Sequence, residues 1–467
     1  MKNRWVAPVT LGVSLFFYVI MAWGEEQTEG FSVEAFRSAA LETSGMNAIR
    51  YELYKNSDAE VIPLLYQKAK AGYVDAQILL ADLISDLPGH KNALQATEWY
   101  ITAFREGQGR IRAVGTLARF STKGEWLLTE NEPKLKWALG EFDHIKSPEN
   151  VIAVLEVYMA YPSLVDVKEI PELLSLHRQS CIENCNGDLY EAFFLSQKGE
   201  LEAAIVLYLK AARYSSRAIR VYFNFLDGFD DKSERFKHFS QNLKPYVNEM
   251  SAEAQYSVGS HLQGLSDEYD KDVIFWLDAS IENGWLAGQI NKATYMMSQA
   301  DYFSYSDTEK VVSSVYEYDL VQGKLLRASL YTVREWKRLN PYGAYNILQE
   351  LHDQGYLEAT IGLGDLYSMG GLDEVDQFKA IELYSMGAKK GSAASFQKIA
   401  GIYRGGRSIC HDKVKSYSFS KMADYYGEEN AASFLQSLSD EMTPEELELA
   451  DALFETLLKN YPLSEFE

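Results

Sequence analysis

Two stretches near the C-terminal end of the chain decide its fold: residues 355–367 read GYLEATIGLGDLY, and residues 391–403 read GSAASFQKIAGIY. The second stretch begins 36 residues after the first, and a third copy of the pattern begins at Gly427, after another 36 residues. Their apolar and small residues coincide, at spacings that place them on one face of a helix. The matched pairs are Leu363 with Ile399, Gly364 with Ala400, Leu366 with Ile402 and Tyr367 with Tyr403. The pattern predicts tandem helical repeats.

A second helix is predicted in front of each glycine. Residues 379–390 (KAIELYSMGAKK) lead into Gly391, and residues 416–426 (SYSFSKMADYY) lead into Gly427. Glycine suits the left-handed position that closes a helix. A single helix pair cannot bury its apolar face, whereas stacked pairs can. The predicted fold is therefore all-α, a right-handed α-solenoid of stacked antiparallel helix pairs.

The same pattern recurs more weakly along the chain, which gives roughly seven to nine helix pairs. Predicted second helices of this kind are residues 61–71, 96–106, 203–213, 273–283 and 344–354. The chain is expected to finish with a capping helix. There Thr443 precedes Pro444, and Glu446 stands three residues after the threonine. This arrangement is typical of a helix start closed by a capping box.

Composition limits the function classes. The chain has 467 residues and is 47% hydrophobic, so it can bury a large core. It carries 45 basic and 67 acidic side chains, for a formal charge of −22. A field of that sign repels nucleic acid and other polyanions, so we expect no nucleic-acid partner and no tight direct polyanion binding. Three cysteines are too few for a disulfide-built fold.

The first 24 residues have the pattern of a secretory signal peptide. Lys2 and Arg4 precede an apolar run, and Ala22 and Gly24 place small residues at the −3 and −1 positions of a cleavage site. The alternative is an uncleaved anchor helix, but the run is short for a membrane span. Glu25 follows, so no cysteine offers a lipid anchor there. The mature chain is expected to be exported and soluble.

The repeat grammar resembles the Sel1-like repeat, a variant of the tetratricopeptide repeat. The resemblance is carried by residues 365–371 (DLYSMGG) followed by residues 379–384 (KAIELY). It is strong over residues 355–427, moderate over residues 61–118 and faint between them. It implies a helical-repeat protein that binds other proteins.

Within that superfamily the whole layout resembles the AlgK-type periplasmic scaffolds of alginate biosynthesis and export. Residues 157–162 (VYMAYP), the close pair Cys181 and Cys185, and residues 442–445 (MTPE) carry this resemblance, together with length and leader. It implies a non-enzymatic scaffold in exopolysaccharide secretion, located in the periplasm and associated with the outer membrane. Its partners would be an outer-membrane β-barrel polysaccharide exporter, periplasmic polymer-modifying proteins and inner-membrane components. Family members begin with a lipidated cysteine, where this chain has Glu25, so membrane association would run through partners.

The predicted organisation has six parts. They are a signal peptide (1–24), an N-terminal helical leader (25–60), N-terminal helix-pair repeats (61–230), divergent middle repeats (231–343), C-terminal Sel1-like repeats (344–440) and the capping helix (441–467).

The cysteines leave three readings open. His177, Cys181 and Cys185 are spaced by four residues, so a continuous helix would align them as zinc ligands. An oxidising compartment favours a disulfide between Cys181 and Cys185 instead, and two packed thiols are the third possibility. Cys410 stands beside His411 in a predicted loop, and adjacent residues rarely orient an imidazole onto a sulfur as catalysis requires.

No G-x-S-x-G, H-E-x-x-H, P-loop or dinucleotide-binding motif is present in the sequence, so we expect no enzyme activity and no cofactor. Two other functions stay open. One is a Sel1-like regulator that clamps a receptor complex. The other is a Sel1-like hydrolase of cell-wall glycans or β-lactams, although the resemblance implies one disulfide per repeat for that class, which three cysteines do not supply.

Two basic clusters are candidate docking sites on this acidic chain, with surface salt bridges as the alternative. The first consists of Arg110, Arg112, Arg119 and Lys123. The second combines cations with aromatic rings and comprises Arg327, Tyr331, Arg334, Trp336 and Arg338.

Overall fold

A computed structural model describes residues 62–461, with gaps at 88–89, 107–109, 124, 142–147, 181–185, 266–268, 371, 373 and 429–430, together with Met46 and Ile49. In this part of the chain the secondary structure is helical, with no strand. No helix among these residues combines the length and the apolar character needed to cross a bilayer. The predicted signal peptide lies outside the described residues. The chain divides into two compact units, residues 1–80 and 81–467.

The first unit contains α1 (Ile62–Lys70) and the start of α2 (Val74–Ser85). Gly72 joins the two helices with a φ of 88°. The Gln77 side chain lies buried and donates from Nε2 to the carbonyl of Ala69 at 3.0 Å. This bond ties the second helix back to the end of the first.

The second unit is an α-solenoid of helix pairs, as the sequence predicts. Its helices are, in chain order, α3 (His90–Glu106), α4 (Arg110–Ser121), α5 (Glu125–Gly140), α6 (Pro148–Ala160), α7 (Ile170–Ser180), α8 (Gly187–Gln197), α9 (Leu201–Ala212), α10 (Ser216–Phe225), α11 (Lys232–Leu243), α12 (Ala252–Gln263), α13 (Lys271–Glu282), α14 (Ala287–Ser298), α15 (Tyr305–Tyr316), α16 (Leu320–Leu330), α17 (Pro341–Asp353), α18 (Leu357–Met369), α19 (Gln377–Lys389), α20 (Ala393–Gly405), α21 (Lys413–Tyr425), α22 (Ala431–Ser439) and α23 (Pro444–Asn460). The described residues thus hold more helices than seven to nine pairs and a cap. The additional helices lie mainly in stretches where the sequence does not show the repeat pattern.

Glycine closes helices where the sequence predicts it. At the end of α17, Gly355 has a φ of 93° and donates to the carbonyl of His352 at 2.8 Å, while Tyr356 donates to the carbonyl of Leu351 at 3.1 Å. These two bonds form a Schellman motif, which satisfies the last carbonyls of the helix. The same bond pair recurs at Gly72, Gly199, Gly284, Gly391 and Gly427. Gly107 lies outside the described residues.

The 36-residue period is also visible in the loops. Asp376 begins α19: its carboxylate accepts from the amide of Lys379, and its own amide donates to the carbonyl of Tyr367 at 2.9 Å. Asn340 and Asp412, 36 residues before and after, cap α17 and α21 in the same way, and their amides donate to Tyr331 and Tyr403, each at 2.9 Å. The final helix begins with the predicted capping box of Thr443 and Glu446.

Small residues allow the two helices of a pair to approach closely. A Cβ atom on Gly364 of α18 would lie 2.5 Å from Cε1 of the buried Tyr384 on α19. The Tyr384 hydroxyl then donates to Asp365 Oδ1 at 2.5 Å. Near the other end of the unit, Tyr100 of α3 donates to Asp82 of α2 at 2.6 Å. Tyr100, Tyr208, Trp276 and Tyr384 all lie buried in the core.

Candidate docking groove

Cavities between α10, α12 and α14 connect into a groove. The first cavity is bounded by α10 on one side, the second lies between α10 and α12, and the third lies between α12 and α14. Arg220 of α10 lines both the first and the second cavity. Tyr256 and Ser260 of α12 line both the second and the third. The first cavity is also lined by α4, α6 and α8. The lining residues of these cavities come from even-numbered helices and the turns beside them. We call this surface the docking groove.

The basic end of the docking groove is a cavity of about 280 Å³. Its apolar lining residues are Met159, Phe193, Val221 and Phe225, and we call these four residues the apolar floor. Its polar lining residues are Arg119, Thr122, Glu156, Gln197, Arg217, Arg220 and Asn224. Three guanidinium groups thus face one carboxylate, which leaves two positive charges uncompensated within the lining.

Glu156 is the electrostatic centre of the basic end. Its side chain is 1% exposed, on the third turn of α6. Arg217 of α10 binds both carboxylate oxygens, at 2.7 and 2.5 Å, and Tyr190 of α8 donates to the carboxylate at 2.6 Å. Arg119 of α4 approaches it at 3.3 Å. A buried carboxylate needs such partners, because desolvation without them is costly. Glu156 therefore joins four neighbouring helices.

The pKa values in this network follow from burial and charge. Burial would raise the pKa of the Glu156 carboxyl, but the hydrogen bonds and charge of Arg217, the charge of Arg119 and the Tyr190 hydroxyl together lower it below its ordinary value. Burial would likewise lower the pKa of Arg217, and the bonds to Glu156 raise it. Burial and the Glu156 charge raise the pKa of Tyr190. All three groups keep their ordinary ionisation at neutral pH.

His177 lies beside this network. Its ring packs edge-on against Tyr190, with centroids 5.3 Å apart, and its Nδ1 is buried without a hydrogen bond in the described structure. Burial and the charge of Arg178 lower its pKa. Cys181 and Cys185 lie outside the described residues. A zinc site and a disulfide at these cysteines therefore both stay predictions. Cys410 lies exposed in a loop, with a free thiol.

The middle of the docking groove is mostly polar, and its charged lining residues are Arg220 and Glu253, which accepts from the Ser216 hydroxyl at 2.8 Å. Between α10 and α14 it presents hydroxyl and amide groups from Tyr256, Ser257, Ser260, Gln263, Asn291 and Thr294. His261 also lies here: its Nδ1 bonds to the carbonyl of Ser257 at 2.6 Å and its ring packs on Phe223, 4.5 Å away. Such a surface can hydrogen-bond an extended chain without demanding a charge at each position.

The second predicted basic cluster is largely engaged within the fold. The indole of Trp336 donates to the carbonyls of Ala300 and Phe303, at 3.0 and 2.7 Å. Arg327 donates to Ser313 at 3.1 Å, and Arg338 stacks over Tyr305 at 5.0 Å. Arg334 is exposed and Tyr331 half-buried. These contacts anchor the loop after α16, and a docking role for the cluster stays a prediction.

The first predicted cluster divides between two roles. Arg119 lines the basic end of the docking groove, whereas Lys123 pairs with Asp86 at 3.2 Å on the surface. Sequence reasoning did not identify Glu156, Arg217 or Arg220. A signal for two of them was present, since Arg213, Arg217 and Arg220 fall at helical spacing within eight residues.

Solved structures similar to this chain share little of its sequence. No protein-family model matches the chain, and no curated protein matches it. One similar solved structure is a protective antigen present in uropathogenic Escherichia coli strains and displaying an SLR fold, with 16% identity, a TM-score of 0.29, and coverage of 86% of this chain and 95% of that one. Another is a Sel1 repeat protein from Oxalobacter formigenes, with 14% identity, a TM-score of 0.31, and coverage of 84% and 93%. With its 36-residue helix pairs, the described part of the chain is an all-α solenoid.

Proposed function

We propose that this protein is a scaffold that holds other proteins in its docking groove. The main support for this proposal is the groove along successive even-numbered helices, which has a basic end and a polar middle. Stacked helix pairs present long surfaces of this kind to partner proteins. The scaffold itself performs no chemistry.

The finer proposal places this scaffold in exopolysaccharide secretion, with alginate as the polymer. Support comes from the signal-peptide pattern of residues 1–24 and from the AlgK-type layout. The scaffold would work in the periplasm and link an outer-membrane exporter to polymer-modifying enzymes and inner-membrane components. Because the whole chain carries a charge of −22, it would organise the proteins of the secretion path and leave the lining of that path to them.

One experiment tests the location and the role together. The gene is deleted in its host, and a C-terminally tagged copy restores it. We expect the tagged chain in the periplasmic and outer-membrane fractions, shortened by the leader, and a loss of secreted polymer in the deletion strain.

Co-purification from the membrane fraction should then recover a β-barrel exporter. A chain retained in the cytoplasm, or unchanged polymer secretion without it, contradicts the secretion role. A purified chain that hydrolyses cell-wall glycan or a β-lactam contradicts the non-enzymatic role.

A further inference from the structure

The basic end of the docking groove contains more positive charge than the fold uses. Arg217 is 19% exposed, and its guanidinium group donates hydrogen bonds to both carboxylate oxygens of Glu156. Arg119 is 43% exposed, approaches the same carboxylate at 3.3 Å and donates to Thr116 at 3.1 Å, so part of its guanidinium group stays open to solvent. Arg220 is exposed and forms no ion pair with any described residue. Two guanidinium groups are therefore available at the mouth of the cavity.

Helix α10 carries one of these groups into the cavity. Glu156 holds Arg217, and Arg217 and Arg220 lie three residues apart on α10, one turn from each other. Thr122, Gln197 and Asn224 are exposed around the same cavity and offer hydroxyl and amide groups. A guanidinium pair with neutral hydrogen-bonding neighbours matches the planar geometry of a carboxylate.

The apolar floor selects among carboxylate ligands. Met159, Phe193, Val221 and Phe225 lie beneath the arginines and give an incoming chain an apolar surface to cover. A peptide that alternates acidic and apolar side chains satisfies both layers. A polyuronate offers carboxylates but no apolar side chains, and its further charges would meet an acidic protein body.

We propose that the basic end of the docking groove binds an extended acidic segment of a partner protein, in which Asp or Glu contacts Arg119 and Arg220 and a neighbouring apolar side chain covers the floor. This inference rests on the proposed scaffold function and specifies the chemistry of one partner. Exposed arginines beside an apolar floor resemble the anchors that contribute most to protein interfaces.

The test uses the full mature chain and a fluorescein-labelled eight-residue peptide of alternating glutamate and leucine, with binding followed by anisotropy. Arg220→Gln and Arg119→Gln should each weaken binding about tenfold, the effect of one charged hydrogen bond. Arg407→Gln is the matched control, because Arg407 is exposed in the loop after α20 and lines none of the cavities of the docking groove. Its affinity should equal that of the wild type. Unchanged melting temperatures verify that the variants are folded.

Three outcomes overturn the proposal. One is equal binding of a peptide with glutamine in place of glutamate. Another is equal binding by all three variants. The third is an oligomannuronate that binds the groove more tightly than the peptide and loses affinity in Arg220→Gln. Failure of this proposal can be told apart from failure of the scaffold role. If a tagged Arg119→Gln/Arg220→Gln chain still recovers its partners, binding of an acidic segment is refuted while the scaffold role stands.

Discussion

Arg217 binds both carboxylate oxygens of Glu156, at 2.7 and 2.5 Å, although 61 residues separate them in sequence. The pair connects α6 to α10 across α8, and it holds the Arg217 guanidinium in the docking groove. Its stability contribution is asymmetric, because removing one partner leaves the other charge buried.

The first prediction concerns this pair. Arg217→Met leaves the carboxylate of Glu156 buried with Tyr190 and Arg119 alone, and should lower the free energy of unfolding by about 3 kcal/mol, the cost of breaking a buried ion pair. Urea unfolding followed by circular dichroism measures it. Arg220→Met, on the same helix but exposed, should change stability by less than about 0.5 kcal/mol. Equal losses in the two variants would show that the pair does not hold the helices together.

The second prediction concerns pH. Burial lowers the pKa of His261, against the raising effect of its bond to Ser257, and the charges of Arg220 and Lys232 lower it further. The fold therefore favours the neutral ring. Its contribution is complete above the ordinary histidine pKa of about 6.5 and declines as the pH falls through the lowered value.

Unfolding measured from pH 7.5 to pH 5 should thus show wild-type stability declining more steeply than that of His261→Gln. The lowered pKa of Glu156 does not enter this window, since its contribution persists down to the ordinary glutamate range. Parallel curves for the two proteins would mean that His261 does not titrate differently on folding.

The third prediction uses two helical glycines. Gly364→Ala would force a Cβ to 2.5 Å from the Tyr384 ring, and should destabilise the chain by about 1–3 kcal/mol. Gly401→Ala, on α20, meets no atom within 4 Å and should stabilise the chain by about 0.5–1 kcal/mol through helix propensity. Thermal melting compares the pair directly. A stabilising Gly364→Ala would refute the close approach of α18 and α19.

Much of the fold follows from local rules that the sequence displays. A glycine after each apolar helix predicts a Schellman turn, and Gly355 and Gly391 form one. Helix starts were placed too late: α17 begins at Pro341, not 344, and α19 at Gln377, not 379. Their caps, Asn340 and Asp376, precede the apolar pattern on which the prediction relied.

The docking groove was less predictable. Arg119 was noted as part of a basic cluster, but Glu156 is one carboxylate among 67 acidic residues, and no spacing rule joins it to Arg217. The pair forms because stacking brings α4, α6, α8 and α10 together. These helices begin at residues 110, 148, 187 and 216, so their spacings of 38, 39 and 29 residues depart from the 36-residue period. The 36-residue period identifies residues that recur in each repeat. The residues of the docking groove do not recur in this way, so the period could not identify them.

If partner proteins lie in the docking groove, they should form site-specific photo-crosslinks to residues within it in living cells. A benzophenone amino acid replaces Asn224 at the basic end of the groove, or Val206, which is 64% exposed on the odd-numbered helix α9. We expect a discrete crosslinked protein from position 224 that is reduced by Arg220→Gln and is absent from position 206. Equal crosslinking from both positions, or none from position 224 while the partners still co-purify, would show that partners do not dock in this groove.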